Sequence, residues 1–245
     1  MATTIIGIDC AVEARNIGLA KALLNDSGLS VVRVGCGGRD SDLLDLLTRW
    51  IGESERVLLA LDAPLGWPDR LGSALANHVA GAPVDGESNR LFRRYTDDVV
   101  AERCRKRPLD VGADRIARTA MSALGLLGAL ARTLGAIPLA WTSSFPGKLA
   151  AIEVYPAATL IGRGIRSQGY KRPGDADARR TIVERLSDHV DLQVDRSDLV
   201  DDADRLDAVV CAVAGADFLR GETVAPDDEA LARREGWIWF RAPAG

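Results

Sequence analysis

Four acidic side chains stand where acids are costly. Asp9 closes the run T-T-I-I-G-I-D at residues 3–9, Asp62 closes R-V-L-L-A-L-D at 56–62, and Glu153 lies inside A-A-I-E-V at 150–154. Asp207 sits in a run of small residues, three positions after Asp204 and so on the same face of a helix. A carboxylate among aliphatic side chains is unfavourable unless it is paired or binds a cation. One such acid has an ordinary explanation as a strand-end turn residue. Four that converge suit Mg²⁺ or Mn²⁺, hard ions that keep waters and bind phosphates. Two such ions can activate water and stabilise the departing oxygen of a phosphodiester. For Asp202 and Asp204 a place at a helix N-terminus is the simpler reading.

Cationic residues form three groups. Arg93 and Arg94 flank Tyr95 and Asp97, a set able to orient a phosphate; the alternative is a solvated helix start capped by Thr96 or Asp97. Arg103, Arg105, Lys106 and Arg107 form the second group, and Arg163, Arg166, Lys171 and Arg172 around Tyr170 form the third. Each is a phosphate-tracking loop or a solvated face. The formal net charge is -4, so no general grip on nucleic acid is written into the chain, and nucleic acid as partner requires a local patch.

Other chemistries lack their residues. There are only two histidines, His78 and His189, no G-x-S-x-G elbow and no phosphate loop with its lysine. The glycines at 35–38 read as a turn. The four cysteines, Cys10, Cys36, Cys104 and Cys211, are scattered without a C-x-x-C pair, so a reduced, cytoplasmic protein is expected. No signal peptide is apparent, and the apolar stretch 123–141 carries Arg132 and three glycines, so no membrane span is expected.

The elements that must position the acids follow from hydrophobic period and turn chemistry. Residues 3–9 read as a buried strand, 16–24 as a second strand whose composition also suits a helix, and 29–34 as a third. Asn25-Asp26-Ser27-Gly28 is a turn, which makes the three an antiparallel meander. Residues 40–52 have helical spacing with Ser41 or Asp40 as N-cap, and 56–62 form the fourth strand. Residues 65–149 read as an insertion, part loop and part helix, with one long helix at 114–134. A fifth strand at 150–154, helices at 175–188 and 202–219, and a short strand or clip at 237–240 complete the order. The small residues of 202–219 let that helix lie close to the sheet, with Asp207 at the rim where the first and fourth strands end. At 245 residues, 47% hydrophobic and 27% charged, the chain is globular and is read as one α/β domain, 1–245, with a mixed sheet.

Six motifs occur in order: G-I-D-C-A at 7–11, L-D-A-P-L-G-W-P at 61–68, R-R-Y-T-D at 93–97, E-V-Y-P-A-A-T at 153–159, D-R-L-D-A-V-V-C-A at 204–212 and E-G-W-I-W at 235–239. In these the chain resembles the prokaryotic family called domain of unknown function 429, predicted to be nucleases of the ribonuclease H-like fold. The resemblance implies a ribonuclease H-like sheet. It implies Asp9 as central metal ligand, Asp62 as the fourth-strand acid and Asp207 as the acid of the last helix. Glu153 carries over as a family-motif residue, a ligand or a base. Ribonuclease H enzymes hold another acid on the first crossover helix, where Asp42 and Asp45 stand here without a clear match. The leading expectation is a metal-dependent nuclease using Mg²⁺ or Mn²⁺, with Asp9, Asp62, Glu153 and Asp207 at its centre and Arg93, Arg94 and Asp97 toward a phosphate. The alternatives are an ATP-binding phosphotransferase-like protein and a catalytically inactive binding protein on the same scaffold.

Overall fold

Apolar strands with a period of two build a six-stranded mixed sheet in the order β5-β4-β1-β2-β3-β6. The structure is a computed structural model and describes residues 2–38, 42–112 and 114–243. The strands are β1 (Thr3–Asp9), β2 (Gly18–Asn25), β3 (Gly28–Cys36), β4 (Val57–Asp62), β5 (Leu149–Glu153) and β6 (Val190–Leu192). β1, β2 and β3 run antiparallel, so residues 18–25 are a strand and not a helix. At their tight turn the Ser27 N–H donates to Asn25 Oδ1 at 2.9 Å, and Gly28 takes a φ of 127° that a side chain would resist. β4 joins β1 in parallel, β5 joins β4 in parallel, and β6 joins β3 in parallel.

Ten α-helices accompany the sheet among the described residues: α1 (Leu43–Gly52), α2 (Asp69–Leu75), α3 (Ser88–Phe92), α4 (Tyr95–Cys104), α5 (Asp114–Leu134), α6 (Pro156–Gly162), α7 (Ala176–Ser187), α8 (Arg196–Asp201), α9 (Ala203–Leu219) and α10 (Glu229–Glu235). The expected caps Asp40 and Ser41 lie outside the described residues. Asp42 caps α1 instead, accepting from the Leu44 and Asp45 N–H groups at 3.0 and 3.3 Å. The stretch read as an insertion holds four helices, α2 to α5, between β4 and β5. β6, α6, α8 and α10 were not anticipated. Residues 237–240 form no strand; Ile238 makes a single parallel bridge to Glu153. Among the described residues no helix is long and apolar enough to cross a membrane.

Strand alternation sorts the core into two faces. Ile5, Leu58, Ala60 and Ile152 pack under α9, whereas Ile6, Ile8, Leu59 and Leu61 pack with α1 and α5. α9 lies against β1 and β2 at a distance only glycine permits. A Cβ at Gly7 would come within 2.7 Å of Ala212 N and nearer still to Ala208 O, and one at Gly18 would strike Asp204 O.

Candidate functional site

β1 and β4 end side by side. Their parallel register pairs Asp9 with Asp62, and alternation turns both carboxylates to the α9 face. α9 carries Asp207 to the same place, because its backbone is seated on Gly7 two residues before Asp9. Burial holds the Asp9 carboxyl well above the usual carboxylate range, and the charges of Asp207 and Asp62 raise it further against the pull of Lys171. Burial likewise pushes Asp62 up to about 7, with Lys171 opposing and Asp207 and Glu153 adding to the rise. Both are partly accessible from the cavity they line. Among the described residues neither carboxylate accepts a hydrogen bond. The structure therefore brings Asp9, Asp62 and Asp207 together.

Asp207 differs from the other two in being satisfied. It is 1% exposed, its Oδ1 accepts from Tyr170 Oη–H at 2.7 Å, and its Oδ2 pairs with Lys171 Nζ. The Lys171 side chain is 61% exposed. Burial lowers its pKa, but Asp207, Asp62 and Asp9 more than compensate and keep the ammonium firmly charged. The loop bearing Tyr170 and Lys171 is braced from below. Buried Arg179 donates to Tyr170 O at 2.6 Å and Arg172 O at 2.8 Å, and also to Val200 O. The sequence reading missed Arg179. Its signal was its spacing, since it shares the apolar stripe of α7 with Ile182, Val183 and Leu186.

Glu153 lines the same cavity but is held differently. The register pairs it with Leu61, one residue short of Asp62, so alternation turns it to the opposite face from Asp9 and Asp62. There Arg94 Nη1 and Nη2 donate to its two oxygens at 2.9 and 2.8 Å, and the Leu65 N–H donates at 2.9 Å. Burial raises the Glu153 pKa, and Arg94 and the Leu65 N–H hold it down. Arg94 is 1% exposed and also donates to Asp97 Oδ1 at 2.9 Å, while Asp97 Oδ2 accepts the Arg94 backbone N–H at 3.0 Å. Arg94 and Asp97 were expected to meet a phosphate. They are instead a buried pair at the start of α4, with Asp97 capping as in the alternative but without solvent. Arg93 reaches toward Asp110 at 3.5 Å. Glu235, which opens the E-G-W-I-W motif but was assigned no role from sequence, closes the network by accepting from the Asp69 and Tyr95 N–H groups at 2.8 and 2.6 Å.

A cavity of about 650 Å³ opens over the acids, with Asp9, Asp62, Tyr170 and Lys171 among its lining. Among the described residues no three His, Cys, Asp or Glu side chains are arranged as ready metal ligands. Asp207 is already held by Tyr170 and Lys171. The donor chemistry fits a two-carboxylate site at Asp9 and Asp62. Mg²⁺ is commonly held by one or two carboxylates, with water and substrate phosphate completing its shell.

The family model described as "Protein of unknown function (DUF429)" matches residues 7–231. The chain belongs to the DUF429 family. No curated protein matches it. The motifs by which the chain resembles DUF429 divide between two places. G-I-D-C-A, the aspartate of D-A-P-L-G and D-R-L-D-A-V-V-C-A meet at the acid cluster. E-V-Y-P, R-R-Y-T-D, E-G-W-I-W and the Leu65-Gly66 end of D-A-P-L-G meet in the buried network around Arg94. Gly66 belongs there because a Cβ on it would lie 2.6 Å from the Glu235 carbonyl. In this DUF429 chain one group of motifs thus forms the acidic site, and the other locks the segments around it.

Proposed function

We propose that the protein is a divalent-metal-dependent phosphodiester hydrolase on a ribonuclease H-like sheet, with nucleic acid or a smaller phosphodiester as substrate. The observation that carries this reading is the Asp9–Asp62 pair: two register neighbours at the ends of parallel strands, opening on a cavity, raised in pKa and without a hydrogen-bond donor among the described residues. The antiparallel β1–β3 followed by parallel β4 and β5, with an acid ending β1, supports the ribonuclease H-like assignment. Four free cysteines are in keeping with a reducing, cytoplasmic setting.

Asp9 and Asp62 would hold Mg²⁺ or Mn²⁺. A bound ion of this kind supplies Lewis-acid charge and an activated water. The rest falls to the chain's own residues. Tyr170 and Lys171 hold Asp207 in place beside the pair, and the Lys171 ammonium offers a point charge to a phosphate oxygen. Glu153, Arg94 and Asp97 keep the end of β5 and the 63–66 turn fixed, which keeps Asp62 where it is. In the hydrolysis a water oxygen bonds to phosphorus, one ester P–O bond breaks, and the departing alcohol takes a proton.

The test is cleavage of single-stranded, duplex, hybrid and branched substrates with Mg²⁺ or Mn²⁺. Asp9→Asn should abolish cleavage, and wild-type activity in that variant overturns the assignment. The Lys171–Asp207 ion pair also favours a second reading, a non-catalytic binding protein on the same scaffold. A Mn²⁺ titration separates the two: the hydrolase binds the ion through Asp9 and Asp62, and the inert scaffold does not.

A further inference from the structure

The cavity has a mixed lining. Asp9, Asp62 and Lys171 supply charge, whereas Leu109, Ile116 and Tyr155 add apolar and aromatic surface. Leu109 lies before α5 and is 70% exposed, so its side chain is open to a ligand in the cavity that it lines. At about 650 Å³ the cavity falls within the roughly 300–1,000 Å³ typical of small-ligand sites.

The basic clusters contribute only in part. From 103–107 only Lys106 lines the cavity, while Arg107 is drawn off to Asp98 at 2.9 Å. From 163–172 Lys171 lines it, while Arg163 is held by Asp217. The chain carries a formal net charge of -4, so its overall charge does not favour a duplex backbone. What it has is two lysines lining one half-open cavity, beside an Arg94 already paired with Glu153 and Asp97. Two ammonium groups suit the oxygens of a single phosphate ester, and the apolar wall suits a flat ring beside it.

We infer that the cavity takes one nucleotide-sized phosphate ester at a time, its phosphate between the Asp9–Asp62 pair and Lys171 and its planar organic group against Leu109, Ile116 and Tyr155. The fate of the phosphate rests on the hydrolase reading; the binding does not. The shared chemistry is a phosphate ester bearing a planar ring, and its source is a free nucleotide or the terminal residue of a strand.

Two measurements on the full chain with Mn²⁺ test this. By calorimetry, adenosine monophosphate should bind on the order of tenfold tighter than inorganic phosphate, and the uncharged Leu109→Ser should narrow that ratio. Because Leu109 is exposed, this variant should fold normally. Lys106→Ala should weaken binding of the nucleotide. In cleavage assays, a dinucleotide and the ends of a labelled single strand should be hydrolysed, with the ratio of the two giving the source, and a covalently closed duplex circle should be spared. Equal binding of nucleotide and phosphate, or indifference to both substitutions, overturns the inference. So does cutting of the closed circle as fast as the dinucleotide, although that result leaves the hydrolase reading standing. Nucleotide binding as described with no ester cleaved does the reverse: it upholds the inference and removes the hydrolase.

Discussion

Replacing Gly7 by alanine would test whether the packing of one helix sets the acidic site. The new Cβ would lie 2.7 Å from Ala212 N and closer to Ala208 O, both backbone atoms of α9. Neither can swing aside as a flexible side chain would. A carbon normally approaches a carbonyl oxygen no nearer than about 3.3 Å, so α9 must retreat by about 1 Å. A retreat would open gaps where Gly18 meets the Asp204 backbone and Gly215 meets the Ile5 side chain. Overpacking costs about 1–3 kcal/mol, and a displaced buried helix belongs at the upper end. For a chain of this size about 3 kcal/mol lowers the melting temperature by roughly 6–12 °C. Asp207 precedes the displaced Ala208, and a misplacement of ~1 Å at a reacting site can lower the rate on the order of 10²-fold. Thermal melts, a Mn²⁺ titration and the phosphodiesterase rate would report the three effects. The control is Gly125→Ala, at a helical position on α5 with open space around its Cβ, which should stabilise by ~0.5–1 kcal/mol. Wild-type melting and wild-type Mn²⁺ affinity in Gly7→Ala would refute the argument that close approach of α9 builds the site.

Two further outcomes follow from the buried charges. Asp62 has its folded pKa near 7 against the usual 3.8, so the native state holds this proton more tightly than the unfolded chain. Without metal, stability should therefore fall as pH rises between those values; Asp62→Asn should flatten that slope and melt higher than wild type at about pH 8. A metal-free melting curve that climbs across the window equally in both proteins would rule this out. Arg94→Met should cost about 3–5 kcal/mol in urea denaturation by stranding Glu153 and Asp97, whereas Glu153→Gln should weaken the fold yet leave Mn²⁺ affinity intact. Loss of Mn²⁺ binding in Glu153→Gln would return Glu153 to the metal site.

Much of this architecture can be read from particular residues. Asp9 and Asp62 each end an apolar strand, and two strands that pair in parallel and end in the same residue type bring those ends together. The small residues of α9 foretell its close seat on β1. Glu153 was harder, because its direction depends on whether β5 aligns with β4 at Leu61 or at Asp62, and a one-residue shift reverses the face. Nothing within A-A-I-E-V encodes that choice. Arg94 and Asp97 carried a local sign, the three-residue spacing of an N-terminal cap, but Arg94 is covered by Glu235 of α10 and Glu153 of β5, which lie 141 and 59 residues away in sequence. β6 has three residues, too few to display a period.

The charges at the site also explain why Lys171 and a metal ion are compatible. Asp9, Asp62 and Asp207 contribute three carboxylates, and Lys171 contributes one ammonium that acts on all of them. Fully ionised, the group would keep two negative charges in a largely buried place. The raised pKa values of Asp9 and Asp62 mean that protons relieve this excess when nothing else does. One divalent cation balances the same two charges without displacing Lys171 from Asp207. Metal binding should then release protons, and the apparent affinity for Mn²⁺ should strengthen as pH rises toward the upper pKa. On the proposed reading a lysine among acids is a partial counter-charge that leaves two negative charges, the number one divalent cation balances.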